Sequence, residues 1–286
     1  MNKKKAAKII STVILAVLIV ILCVTGVVIS DGRLPGKPGK DVFRTVFFDA
    51  GEGDCILCFK DGCVILTDAP QNGTRRAVGY MKRMGIKRID MFILSHYDLD
   101  HAGDAYKILS EFEVVRILLP EPADEDAGKY EDVVSAAGGA ELITAVTGQS
   151  YELSGVLIRV LAPNGKRSGS NAMCVVCRLQ YGESSVLLCS DTDVSEEKVM
   201  ISKYGEDLRS DIVKVAHHGS KYSSSENFVR AAAARYAVIS CGENSYGHPD
   251  TDVIERFEKY GAEVSITQED GVIIFDIYED HVERVK

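Results

Sequence analysis

The sequence predicts an α+β fold of two similar halves packed sheet on sheet, with helices outside and one transmembrane helix in front. Three observations carry this expectation. Short apolar runs punctuated by glycine, aspartate and asparagine recur between residues 42 and 277, and helical patterns join them only after each half has opened with strands. Five of the six histidines fall in loops directly after predicted strands, where functional side chains tend to collect. Ahead of all this, residues 9–30 form an uncharged run dominated by Ile, Val and Leu.

That first run follows Lys3, Lys4, Lys5 and Lys8. About 20 apolar residues cross a bilayer, and a basic flank stays cytoplasmic. A cleaved signal peptide would have a shorter core and a small-residue cleavage site, which Thr25-Gly26-Val27-Val28-Ile29-Ser30 does not offer. Residues 1–30 therefore read as a membrane anchor rather than a signal peptide. The catalytic body lies outside the cytoplasm on either reading, and is secreted outright if the segment is cleaved. Residues 31–40, rich in glycine and proline, form a linker, and 41–286 form a single hydrolase domain. Of the 33 basic residues four lie in residues 1–30, which hold no acid; the remainder carries 29 against 42 acids, a net charge of −13. Such a field does not hold a polyanion by charge alone, although bound divalent cations would reverse its local sign.

Strands are expected at 42–48, 55–59 and 64–67, interrupted by Gly51-Glu52-Gly53-Asp54 and Asp61-Gly62. A helix over 74–84 ends at Gly85 and feeds a strand at 91–94. A helix at 105–112, a strand at 114–119 and a helix at 124–137 complete the half. The second opens with strands at 142–146, 156–161, 173–180 and 186–190. It then alternates: helix 195–204, strand 212–216, helix 226–234, strand 238–241, helix 251–260, and closing strands at 264–267 and 272–277. Cys55-x-x-Cys58 and Cys174-x-x-Cys177 have the spacing of zinc ligands. Each pair falls within a predicted strand among Ile, Leu, Met and Val, so its members face opposite sides and read as core.

The chemistry centres on Ser95-His96-Tyr97-Asp98-Leu99-Asp100-His101, in the loop leaving an apolar strand. Two imidazoles and two carboxylates within six residues, with no thiolate, suit zinc, manganese or iron. Their alternation lets one loop feed two ions. Further strands deliver Asp191 in Ser190-Asp191-Thr192-Asp193, the His217-His218-Gly219-Ser220 loop, and Gly242-Glu243-Asn244-Ser245-Tyr246-Gly247-His248-Pro249. Asp191 alone reads equally well as a helix cap; together with the other loops it reads as a ligand. His281 stands apart in a charged tail.

In combination these motifs resemble the metallo-β-lactamase superfamily, and within it the ComEC-type competence hydrolase domain and its free-standing relatives, over about residues 41–277. Phe48-Asp49-Ala50-Gly51-Glu52-Gly53-Asp54 is similar to the family's Asp-Val-Gly-Gln-Gly-Asp opening, and Thr67-Asp68-Ala69 to its Asp-x-Gly strand end, with alanine where glycine is usual. Residues 95–103 match its His-x-Asp-x-Asp-His-x-Gly signature in full, and His217–Ser220 match its His-His-Gly-Ser.

The resemblance implies an αββα four-layer sandwich with a groove along one edge of the two sheets, holding two divalent metal ions, zinc or manganese. It assigns His96 and Asp98 to one ion, Asp100 and His101 to the other, and Asp191 to both. His217, first off its strand, is expected to complete the second site, with His218 near the substrate's oxyanion. Asp98 and Asn171 stand where many members carry histidines, which makes the first site oxygen-rich and favours manganese. Two such ions would lower the pKa of a shared water. Asp100 would then orient that water, and His218 or His248 would protonate the leaving oxygen. Asn171, Lys214, Ser220 and Lys221 are expected to bind a substrate phosphate. The implied activity is a phosphodiesterase or nuclease on the outer membrane face, with DNA or a cell-wall phosphodiester as substrate. The alternatives are an amide or lactone hydrolase, disfavoured by the histidine-poor first site, and a non-catalytic binding module, disfavoured by the intact ligand set.

Overall fold

The early strands are apolar on both faces, which demands cover on both sides of their sheet. The computed structural model, which describes residues 34–165 and 170–286, supplies that cover. The chain divides into two units, Met1–Lys37 and Pro38–Lys286. The expected anchor at 9–30 lies outside the described residues, and no described helix is long and apolar enough to cross a membrane.

The first half runs β1 (Phe43–Phe47), β2 (Ile56–Lys60), β3 (Cys63–Thr67), α1 (Arg75–Arg83), β4 (Arg88–Ile89), β5 (Met91–Ile93), α2 (Leu99–Ala102), α3 (Ala105–Glu111), β6 (Glu113–Val114), β7 (Arg116–Leu119), α4 (Ala127–Ala136) and β8 (Glu141–Thr144). The second runs β9 (Ser150–Leu153), β10 (Val156–Ala162), β11 (Val176–Tyr181), β12 (Ser184–Leu188), α5 (Val194–Tyr204), β13 (Ile212–Lys214), α6 (Glu226–Ala232), β14 (Tyr236–Ile239), α7 (Thr251–Lys259) and β15 (Glu263–Ile266). After α8 (Thr267–Asp270) come β16 (Ile273–Ile277) and β17 (Val282–Arg284).

One sheet has the order β17-β16-β1-β2-β3-β5-β7-β8, the other β15-β14-β13-β12-β11-β10-β9. Each passes from antiparallel pairing into parallel steps, β3 to β8 in the first and β12 to β15 in the second. Strand alternation splits the side chains accordingly. Phe43, Phe47, Ile56, Cys58 and Ile65 meet Ile158, Val160, Cys177, Leu179 and Val186 between the sheets. Leu187, Val213 and Ile239 turn outward onto Met200, Phe228, Val229, Val253 and Phe257 of the helices. Tyr80 of α1 covers the first sheet's outer face, edge-on to Phe48. These are the four layers.

The two similar halves are present, with one exchange. The closing strands β16 and β17 leave the second half and pair beside β1. A bidentate Arg44–Asp276 pair across that ladder, at 2.5 and 2.6 Å, fixes its register. The strand expected at 173–180 starts only at Val176, because the amide of Val175 donates to the Ser95 carbonyl at 2.8 Å and draws the preceding turn across to the other sheet. Strand 212–216 stops at Lys214, where a tight turn over Ala216–Gly219 takes over. All seven described cysteines are free. Cys58 and Cys177 lie in the inter-sheet core, and burial pushes both thiols up to about 12. Cys55 and Cys174 sit just before their strands rather than within them, and are buried too.

Candidate metal centre

The carboxyl ends of parallel strands β3, β5, β12, β13 and β14 converge on one edge of the sandwich, the usual place for ligands in such sheets. They deliver Asp68, the segment from Ser95 to His101, Asp191, His217-His218 and the loop from Ser240 to Pro249. Four of the residues at these ends, Asp68, Ser190, His217 and His218, have φ between 49° and 60°. Side-chain-bearing residues avoid this region, and such strain concentrates at functional sites. Backbone contacts hold the ends together: His217 N donates to Ser190 O at 2.9 Å, Ala69 N to His101 O at 2.6 Å and Asp54 N to Asp100 O at 3.2 Å. A Cβ at Gly53 would collide with that Asp100 carbonyl, so glycine is obligatory there.

At the centre, His101 Nε2 lies 3.2 Å and His218 Nε2 3.4 Å from Asp191 Oδ1. The two imidazole nitrogens stand 3.3 Å apart, and Asp100 Oδ2 is 3.6 Å from His218 Nε2. A second group, His96, Asp98 and Asp100, shares Asp100 with the first. Its His96 Nε2 is 3.7 Å from Asp98 Oδ2 and 4.0 Å from Asp191 Oδ2.

These residues fit divalent ions on two independent grounds. Donors bound at about 2.0–2.2 Å around one tetrahedral ion stand roughly 3.3–3.6 Å apart, which is the spacing of the first group. Moreover, His96 Nε2 and Asp191 Oδ1 are buried with no hydrogen-bond partner; orphaned buried polar atoms are rare, and here both aim into the cluster.

The imidazoles are pre-set as ligands. His101 Nδ1 donates to Asp68 Oδ2 at 2.8 Å and His218 Nδ1 to the Ser240 carbonyl at 2.9 Å, which turns each Nε2 into the cluster. Asp68 also accepts from the Ser95 amide and hydroxyl, both at 2.7 Å. Burial opposes charge on His218, yet the neighbouring carboxylates of Asp191 and Asp100 outweigh it and push the imidazole up to about 9. Burial, reinforced by His101, pulls His96 down to about 3. Burial disfavours the ionised form of Asp191, but His218 and His101 hold it well below the usual carboxylate range.

His96, Asp98, Asp100, His101 and Asp191 thus meet where the sequence placed them. Asp191 is not a helix cap; Asp193 caps α5 instead, accepting from the amides of Ser195 and Glu196. His218, not His217, enters the donor cluster. His217 Nε2 is 3.8 Å from Asp191 Oδ2, its side chain 29% exposed on the cleft wall. Consecutive left-handed backbones set the two ring planes at 83° to each other, and the more buried ring reaches the centre.

A cleft of about 560 Å³ opens over the cluster, lined by Asp98, Asp100, Lys129, Asn171, Asp191, His217, His218, Tyr246 and His248 among others. A broader depression of about 960 Å³ adjoins it across Glu52, Leu99 and Asp100 and carries Arg75 and Arg76. Asn171 and His248 line the narrower cleft as expected. Three expected substrate contacts do not. Lys214 is fully buried and ion-paired with Asp54; Ser220 is buried, its Oγ 3.4 Å from the Tyr222 amide; Lys221 lies exposed over the Tyr222 ring, away from the cleft.

Sequence reasoning missed four contributors. Asp54 sits 3.8 Å from His101 Nδ1, beneath the cluster. Asp68 orients His101. Lys129 reaches Asp98 at 3.0 Å and supplies the cation on the cleft wall. Asn244 staples the loop that carries His248, its Oδ1 accepting from the amides of Tyr246, Gly247 and His248 at 3.0 Å each. A signal existed for Asp54: a lysine inside Ile212-Val213-Lys214 requires a buried acid.

Two mixed sheets between helices and this donor set define a protein of the metallo-β-lactamase class. The model of the Metallo-beta-lactamase superfamily matches residues 49–243, and the chain belongs to that family. It is similar to "ComE operon protein 3" of Bacillus subtilis (strain 168), 29% identical over 205 residues, which cover 70% of this chain and 26% of that protein. It is also similar to "Competence protein ComA" of Neisseria gonorrhoeae, 30% identical over 252 residues, covering 86% of this chain and 34% of that protein. The expected resemblance to ComEC-type proteins is borne out, although this chain spans only about a quarter to a third of the length of these relatives. Among solved structures, the metallo-β-lactamase fold protein YhfI from Bacillus subtilis superposes with a TM-score of 0.57 at 14% identity, over 82% of this chain and 100% of that one. At that identity the likeness concerns the fold.

Proposed function

We propose that this metal-dependent hydrolase is a phosphodiesterase, most simply a nuclease, anchored by residues 9–30 with its catalytic body outside the cytoplasm. The observation that carries the reading is the pair of donor groups meeting at Asp100 in the floor of a cleft whose wall holds two further histidines, His217 and His248. The names of the two relatives, a competence operon product and a competence protein, fit DNA as the diester.

Divalent ions held by His96, Asp98, Asp100, His101, Asp191 and His218 would supply Lewis acidity to a water and to the phosphoryl oxygens. The chain's own residues do the rest. Asp100, reaching both donor groups, orients the attacking water. Asp68 and Ser240 fix the rings of His101 and His218. His248, held by Asn244 and 5.5 Å ring to ring from His217, donates a proton to the leaving oxygen. Burial and the neighbouring His217 lower the pKa of His248.

The test uses the full chain in detergent micelles with Mn²⁺ or Zn²⁺, offered single-stranded DNA, bis-p-nitrophenyl phosphate and a β-lactam. Diester cleavage is expected, and His248→Ala should slow it by roughly 10²-fold or more, the usual scale for a general acid, with bound metal near normal. Faster hydrolysis of the β-lactam than of any diester, or wild-type diester rates in His248→Ala, would overturn the reading.

A further inference from the structure

Among the described residues, two large apolar side chains of the 560 Å³ cleft stand more than half exposed: Leu99 at 56% and Tyr246 at 76%. Leu99 lies between the donors Asp98 and Asp100. Tyr246 ends a ladder of rings that begins in the donor cluster. His218 and His217 are 6.2 Å apart ring to ring, His217 and His248 5.5 Å, and His248 and Tyr246 5.9 Å, the last pair stacked at 28°.

A solitary exposed tyrosine needs no explanation, but this one is held in place. Its amide donates to Asn244 Oδ1, and the Asn244 amide group in turn donates to the His248 carbonyl at 2.7 Å and the Gly242 carbonyl at 2.9 Å. The ring therefore rests on His248 in a loop pinned at both ends, with most of its surface open beside the reacting centre. A pre-ordered aromatic face loses little entropy on binding. Tyr222, 68% exposed, is outside the cleft lining and makes no such ladder.

We propose that the open face of Tyr246 stacks an unpaired base next to the scissile phosphate, with Leu99 offering apolar contact on the metal side, so that the site selects a nucleic-acid strand with an unstacked nucleotide. The proposal rests on the phosphodiesterase reading above. Every base has a π-face, so such stacking tolerates sequence. A paired duplex base must first leave its stack to reach the ring, whereas a diester without bases gains nothing from it.

The full chain in micelles with Mn²⁺ is given oligothymidylate and the same backbone made abasic. Base stacking is worth a factor of about 5 to 150 in affinity, so the abasic strand should show a KM higher by that factor. In Tyr246→Ala the ratio of the two KM values should fall towards one. Tyr246→Phe should keep the ratio, and so should Tyr222→Ala. The same comparison by fluorescence anisotropy in EDTA, where nothing is cleaved, reads base recognition independently of catalysis. Absence of cleavage with base-selective binding would sink the phosphodiesterase reading and leave base stacking standing. Equal affinity of the wild type for both strands, no binding of either, or an unchanged ratio in Tyr246→Ala would overturn the stacking proposal itself.

Discussion

Replacing Lys214 or Asp54 tests how the donor cluster is supported from below. Lys214 has no exposed surface and Asp54 only 1%, and their ion pair lies directly under His101 and His218. Burial alone would push the Asp54 carboxyl up; Lys214 is the largest of the charges that hold it below its usual range. Removing one member leaves the other charged, dry and unpaired, a loss of about 3–5 kcal/mol. For a body of this size that corresponds to about 6–20 °C in Tm. Lys214→Met and Asp54→Asn should each lose that much in heat or urea denaturation of the full chain followed by circular dichroism. The double variant buries no uncompensated charge and should lie far above the sum of the singles. The pH dependence separates a charge effect from lost packing. In Lys214→Met the Asp54 pKa rises above its unfolded value, so protonation in the folded state favours folding. The deficit relative to wild type should be smallest below the unfolded carboxyl pKa of about 3.9 and grow as pH rises through the raised folded value. Single variants that each cost under about 1 kcal/mol, a double variant at the plain sum, or a deficit independent of pH would refute the reasoning.

Two further outcomes follow from the site. Asp191→Ala and His218→Ala should each lose bound metal and activity, whereas His217→Ala and the remote His281→Ala should retain metal, as checked by elemental analysis of protein loaded with Mn²⁺ or Zn²⁺; full occupancy in both of the first two variants would dissolve the ligand assignment. If residues 9–30 are an uncleaved anchor, the protein partitions with membranes and protease added to intact protoplasts digests residues 41–286; an N-terminus near Asp31 would instead establish a released enzyme.

Most of the donor set was legible because each donor lies in the segment after an apolar strand. Five of the six residues that the structure gathers in the two donor groups and at Asp191, namely His96, Asp98, Asp100, His101 and Asp191, were expected there from the motifs and the resemblance they carry. What was not legible depends on which way a side chain leaves the backbone. Lys214 occupies a strand position one step from Val213, so alternation gives it one face, but only the packing of the first sheet decides that this face is buried against Asp54. Ser220 and Lys221 follow a turn whose direction the sequence does not encode. Lys129 and Asp68 come from elements distant in sequence from the ligands they touch. The return of β16 and β17 to the first sheet is likewise a matter of long-range pairing: β16 was read as a strand, whereas β17 lies in the charged tail and was not.

The histidine pair shows the same limit at single-residue scale, and also why the limit is chemically useful. Being first off a strand would favour His217 if the chain left β13 in extended form, with the next side chain pointing away. Instead both residues take left-handed backbone, at φ 50° and 52°, and Gly219 follows at φ 82°. A Cβ on Gly219 would press on Pro249, which carries the loop of His248. The strained turn thus does two things at once. It drives His218 inward, where the Ser240 carbonyl accepts a hydrogen bond from Nδ1 and Nε2 turns into the donor cluster, and it stands His217 out against His248 on the cleft wall. Adjacent histidines with identical chemistry are thereby given separate places, one in the donor cluster and one on the cleft wall. The cost of holding two side chains in a disfavoured backbone region, on the order of 1–3 kcal/mol each, is offset by the packing of five strand ends around them.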